Sequence, residues 1–153
     1  MDVVSIASDT SDTTNDSLTV VRGIRSVKFL GIYNRRLLSN LRKLTSILEA
    51  YKAKYYDFRK SVQTGESISL IDFVGNGYIY SHKSKILTRN SNRMFKKVEA
   101  YQGNLEDPEA KELILSSREL IKQINEVEAI IYQVLDDAFT FIENTFTIVY
   151  HEF

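Results

Sequence analysis

The chain has no cysteine, no tryptophan and a single proline among its 153 residues. Without thiols there is no disulfide, no thiolate metal site and no cysteine nucleophile. One proline and six glycines are too few for the closely spaced turns of an all-β sandwich or barrel. Histidine is scarce as well. His82 and His151 stand alone, each without a second histidine or a carboxylate at metal-ligand spacing along a helix, so no zinc site is expected. The Gly-x-Ser-x-Gly of a hydrolase nucleophile is missing, and so is the Glu-x-x-His pairing of di-iron bundles. Gly75-Asn76-Gly77 lacks the further glycine, lysine and hydroxyl residue of a phosphate cradle and reads as a turn. Long apolar runs are absent too. The nearest, Ala129 to Tyr150, is interrupted by Asp136, Asp137 and Glu143, so no membrane span is expected. Met1 leads into a polar stretch over 1–17, rich in Ser, Thr and Asp. A disordered acidic tail, no secretory signal and a cytoplasmic location are the expectations.

Net charge is zero, but the charges are segregated. Residues 1–20 carry four Asp and no base, and residues 21–61 carry eleven Lys and Arg against Glu49 and Asp57. Residues 83–97 carry six bases and no acid, whereas residues 98–153 carry twelve acids against Lys111, Arg118 and Lys122. Segregation of this kind points to pairing between segments or to a charged partner.

What the chain does have is helical periodicity. From Val27 through Leu30, Asn34, Leu37, Leu41, Leu44, Leu48, Tyr51 and Tyr55 to Phe58, steps of three and four alternate. That spacing aligns them on one face of a helix, predicted over about 24–62. Its start is weakly marked: Ser17 is a candidate cap, and Gly23 and Gly31 weaken the first turns. A second stripe runs from Leu113 through Leu120, Ile124, Ile131 and Phe141 to Ile148. Asp107 suits its cap, Pro108 its first helical position, and Glu109 and Glu112 the positive end of its dipole, which predicts a helix over about 108–149.

The middle is less marked. Residues 67–82 fit a hairpin over Gly75-Asn76-Gly77, or a one-turn helix capped by Ser67 and stopped by Gly75. The helical reading is preferred, because an isolated two-stranded hairpin is marginal. Residues 84–101, with Leu87, Met94, Val98 and Tyr101 on one side, predict a further helix ending at Gly103-Asn104. The expected fold is therefore an all-α helical bundle: two long amphipathic helices with one or two shorter helices between them, in a single domain over 18–153.

Three sets of residues compete for a function. The paired carboxylates Asp136 with Asp137 and Glu126 with Glu128 do not converge, since helix neighbours one or two apart point in different directions. They read as a solvated face. The bases Lys28, Arg35, Arg36, Arg42 and Lys43 lie off the apolar seam, and Arg89, Arg93, Lys96 and Lys97 form a second cluster. Together they suit phosphates or an acidic partner, but Glu112, Glu119 and Glu126 on the other long helix offer them internal partners. Aromatic residues gather at the ends of the two stripes, Tyr51 to Phe58 in the first and Phe139 to Phe153 in the second. Parallel packing of the two helices would bring these clusters together, and antiparallel packing would separate them. The seams are wider than a short middle segment covers, so further apolar surface is expected to be buried by another chain. The expectation is a non-enzymatic interaction or structural protein without cofactor or metal, acting as a homo-oligomer or on a protein partner. Assembly subunits, a virus particle's among them, adaptors and inhibitors all fit. The alternative is a helical nucleic-acid-binding protein using the bases at 22–60 and 83–97.

Overall fold

The computed structural model describes residues 23–67 and 69–151, with side chains described to Phe146 in the last helix. The tail expected over 1–17 and the candidate cap Ser17 lie outside the described residues. Three helices make up the bundle: α1 (Val27–Thr64), α2 (Leu70–Glu99) and α3 (Pro108–His151). No strand occurs among the described residues.

Each helix begins on a side-chain cap. The Ser26 hydroxyl accepts the Lys28 amide at 3.2 Å, so α1 starts at Val27, where its apolar stripe begins, rather than near residue 24. Ser69, rather than Ser67, caps α2 by accepting the Asp72 amide at 3.2 Å. Asp107 caps α3 as expected, accepting the Glu109 amide at 2.9 Å. Each such oxygen satisfies one of the amides that a first turn leaves without a helical partner. The first helix stops at Gly65, whose φ of 75° is left-handed. There the Glu66 amide bonds the Ser61 carbonyl and the Gly65 amide bonds the Val62 carbonyl, the paired closure that a left-handed residue permits.

The middle of the chain departs from expectation. Neither the hairpin nor a helix ending at Gly75 forms; α2 runs unbroken through Gly75-Asn76-Gly77 and is 30 residues long. An interior glycine costs a helix about 1 kcal/mol, and packing on both sides of these glycines outweighs it. Phe73 is buried, and Gly77 lies so close to the Tyr51 phenol and Leu135 that an added Cβ would come within 3.2 and 3.3 Å of them. The inward face of α2 continues through Ser84, Thr88 and Ser91, all buried. Two of these hydroxyls have clear partners: Ser84 donates to the Tyr80 carbonyl one turn back at 2.8 Å, and Ser91 accepts from the Asn40 amide of α1 at 2.9 Å.

The helices pack in two compact units, each taking a segment of all three: Met1–Leu41 with Arg89–Ile124, and Arg42–Thr88 with Asn125–Phe153. In the first unit the core is Ile24, Phe29, Leu30, Tyr33, Val98, Tyr101 and Ala110. Asn34, the polar member of the α1 stripe, donates to the Ser116 and Ser117 hydroxyls at 3.0 and 3.1 Å. The Ile24 carbonyl accepts the Gln102 amide at 2.8 Å. Beside it Gly23 lies flat against the Ala100 carbonyl, where any side chain would collide. In the second unit Tyr51, Tyr55 and Phe58 of α1 meet Phe73 of α2, and Tyr55 and Phe58 also meet Phe141 of α3. These contacts require α1 and α3 to run parallel and α2 to run against them. The parallel arrangement brings Tyr51, Tyr55 and Phe58 together with Phe139 and Phe141 in one unit.

Candidate interaction surfaces

The bases predicted from sequence fall into different environments. On α1, Lys28, Arg35, Arg42 and Lys43 are exposed, the first three at seven-residue intervals opposite the buried Leu30, Leu37 and Leu44. Arg36 is half-buried, its guanidinium 5.7 Å from the centre of the Tyr33 ring. On α2, Arg89 and Lys96 are exposed, while Arg93 is half-buried and donates to Asn90 at 3.3 Å. Lys97 is a different case. It is only 3% exposed, and desolvation pushes its ammonium below the usual lysine value. That burial takes it out of the accessible charge. Of these residues, Lys28, Arg35, Arg36 and the four bases of α2 belong to the first unit, and Arg42 and Lys43 to the second.

The acids of α3 stand out in solvent. Glu112, Glu119 and Glu126 are exposed, and Glu119 accepts from Gln123 on its own helix at 3.2 Å. Among the described residues none of the three is bonded to a base of α1. Farther along, Glu126, Asp136, Asp137 and Glu143 are exposed without a Lys or Arg on the same stretch of helix. Asp137 accepts from Gln133 at 3.0 Å, and its backbone carbonyl accepts the Tyr55 hydroxyl at 3.3 Å. One cross-helix cation contact is aromatic: Arg59 of α1 lies 5.1 Å from the Phe141 ring centre of α3, and 5.6 Å from that of Tyr55 on its own helix.

A surface that the sequence reading misses lies on the outward side of α2. Ile71 is 84% exposed, Tyr78 66%, Ile79 52% and Ile86 42%. Steps of seven set Ile71 in line with Tyr78 and Ile79 in line with Ile86, two adjacent rows that together make up the outward side of the helix. Within the second unit α2 is thus apolar on two sides, with Phe73, Gly77 and Ser84 inward and this row outward. Tyr78 leans on Phe139 of α3, with ring centres 5.9 Å apart. Tyr132 of α3, also exposed, bonds Ser81 through its phenol. The row was legible only to a reader who carried the helix through Gly75.

Catalytic furniture is not apparent. No group of three or more His, Cys, Asp and Glu side chains is placed to hold a metal among the described residues. His82 is exposed, and the side chain of His151 lies outside the described residues. Asp136 and Asp137 point into solvent rather than a cleft. The most perturbed group is Tyr51, whose phenol is pushed up to about 12, first by burial and then by its neighbour Tyr55; it is a core residue. No described helix is long and apolar enough to cross a membrane. No protein-family model, curated protein or solved structure matches the chain.

Proposed function

We propose that this is a non-enzymatic interaction protein that works by burying an exposed helix face against another protein chain. The observation that carries the reading is the row Ile71, Tyr78, Ile79 and Ile86 on the outward side of α2. Single exposed apolar residues are ordinary, but several aligned on one rigid helix form a patch of the kind that marks protein interfaces. Aromatic anchors held from behind, as Tyr78 is by Phe139, lose little conformational freedom on docking. Light scattering over a wide concentration range, together with affinity capture, tests the reading. A mass that rises with concentration, or a defined stoichiometric complex, supports it. A monomer at every concentration that captures nothing removes it.

A second reading, nucleic-acid binding, is favoured by one observation: Lys28, Arg35 and Arg42 are exposed at regular intervals on α1. Bases so spaced suit a phosphate backbone. The burial of Lys97 and the engagement of Arg36 and Arg93 reduce the charge such a surface presents. Binding that weakens steeply with salt, and loses both affinity and salt slope when Arg35, Arg36, Arg42 and Lys43 become Ala, supports this reading. No binding at low salt ends it.

A further inference from the structure

We infer that the outward face of α2 docks on the same face of a second copy of this chain, with the two α2 helices antiparallel. The inference rests on the interaction reading above and names its partner.

The argument begins from where α2 places its charges within the second unit. Between Leu70 and Thr88 its single carboxylate, Asp72, lies at the N-terminal end, and its Lys residues, Lys83 and Lys85, lie at the other. All three are exposed. The apolar row runs between these ends, from Ile71 to Ile86. Parallel pairing of two such faces would set acid on acid and lysine on lysine. Antiparallel pairing does the reverse: Asp72 of each copy comes near Lys83 of the other, and the two helix dipoles oppose. Both residues fall on the same flank of the row, which is the flank that meets its own equivalent across a two-fold axis in an antiparallel pair.

The apolar residues obey the same symmetry. A two-fold axis passing between Tyr78 and Ile79 brings Ile71 of one copy level with Ile86 of the other, and sets Tyr78 and Ile79, which lie on opposite flanks, each beside its own equivalent. The face is then self-complementary in size as well as in charge, as an isologous contact requires. Gly75 and His82 lie between the large side chains and become mutual neighbours. Gly75 has nothing within 4 Å of where a Cβ would stand, so it leaves room there for the imidazole of the other copy.

The absence of cysteine provides a clean test on the full chain. Ile71→Cys with Ile86→Cys in one chain should give a disulfide-linked dimer on mild oxidation, whereas Ile71→Cys alone should not. Within one chain the two positions are about 22 Å apart along the helix, far beyond the reach of a disulfide. In parallel, Ile79→Asp should raise the dimer dissociation constant about tenfold or more while leaving helicity unchanged, since Ile79 points outward. Lys83→Asp should weaken the dimer, and Asp72→Lys combined with Lys83→Asp should restore it. Efficient linking by Ile71→Cys alone overturns the antiparallel pairing. A dimer indifferent to Ile79→Asp overturns the face while leaving the interaction reading intact. A wild-type monomer at all concentrations overturns this inference. If that monomer also captures no partner, the broader reading falls with it.

Discussion

Phe58 of α1 stacks on Phe73 of α2 with ring centres 4.2 Å apart and planes 8° from parallel. Phe73 also meets Tyr51 and Tyr55, so one side chain ties three successive turns of α1 to the start of α2. Phe73→Ala is expected to destabilise the protein by about 3–5 kcal/mol, the ordinary cost of emptying a buried aromatic site. Chemical denaturation followed by circular dichroism measures it. A loss below about 1 kcal/mol would mean that this cluster does not hold α2 in place.

The glycines should respond with opposite signs. Gly75 sits inside a helix with open space where a Cβ would stand. Gly75→Ala is therefore expected to stabilise the fold by about 0.5–1 kcal/mol, through helix propensity and a less disordered unfolded chain. Gly65 has a φ of 75°, and Gly65→Ala should cost about 1 kcal/mol. Gly23→Ala should cost more than either, because the new methyl would overlap the Ala100 carbonyl. Thermal melts of the three variants settle the order, and a destabilising Gly75→Ala would contradict this account of α2.

These glycines also mark what could be read in advance. The third helix was legible because Asp107-Pro108-Glu109 announces its start and its stripe is filled by large apolar residues. The first was legible from Leu30 to Phe58, less so at its start, where the cap is a single Ser26. The second was legible over 84–99, from Leu87, Met94 and Val98, but its first half was obscured by Gly75-Asn76-Gly77 and by the small inward residues Gly77 and Ser84. Small and hydroxyl side chains carry little hydrophobic period, yet they are what a closely approached helix face requires. For the same reason the outward residues Ile71, Tyr78 and Ile79 were not joined to Ile86 on one helix. The exposure of Lys28, Arg35 and Arg42 followed from periodicity, whereas the burial of Lys97 depends on tertiary packing that spacing alone does not encode.

A polar contact in the first unit should show strong coupling. Asn40 donates to Ser91 at 2.9 Å, and Ser91 is fully buried. Asn40→Ala is expected to cost about 1 kcal/mol, and Ser91→Ala a similar amount. Because both substitutions remove the same bond, the double variant should lose less than the sum of the two by about 0.5 kcal/mol or more. Strict additivity in the denaturation free energies would mean that the bond contributes nothing to the pairing of α1 with α2.

Alkaline stability should be governed in part by Tyr51. Its phenol is buried, and its pKa is pushed from the usual value of 10.0 to about 12. The folded chain therefore keeps a proton that the unfolded chain gives up above pH 10. The stability tied to this group is fully present below pH 10 and is lost as pH rises through about 12. The loss amounts to at most about 3 kcal/mol. Tyr51→Phe keeps the ring contacts with Phe73 and Tyr80 and removes the titration. Denaturation at pH 8 and pH 11 should show a smaller alkaline loss in the variant than in the natural chain, even though the remaining tyrosines still ionise. Equal losses in the two proteins would mean that the Tyr51 phenol reaches solvent in the folded state, and that the aromatic cluster is looser than its ring spacings imply.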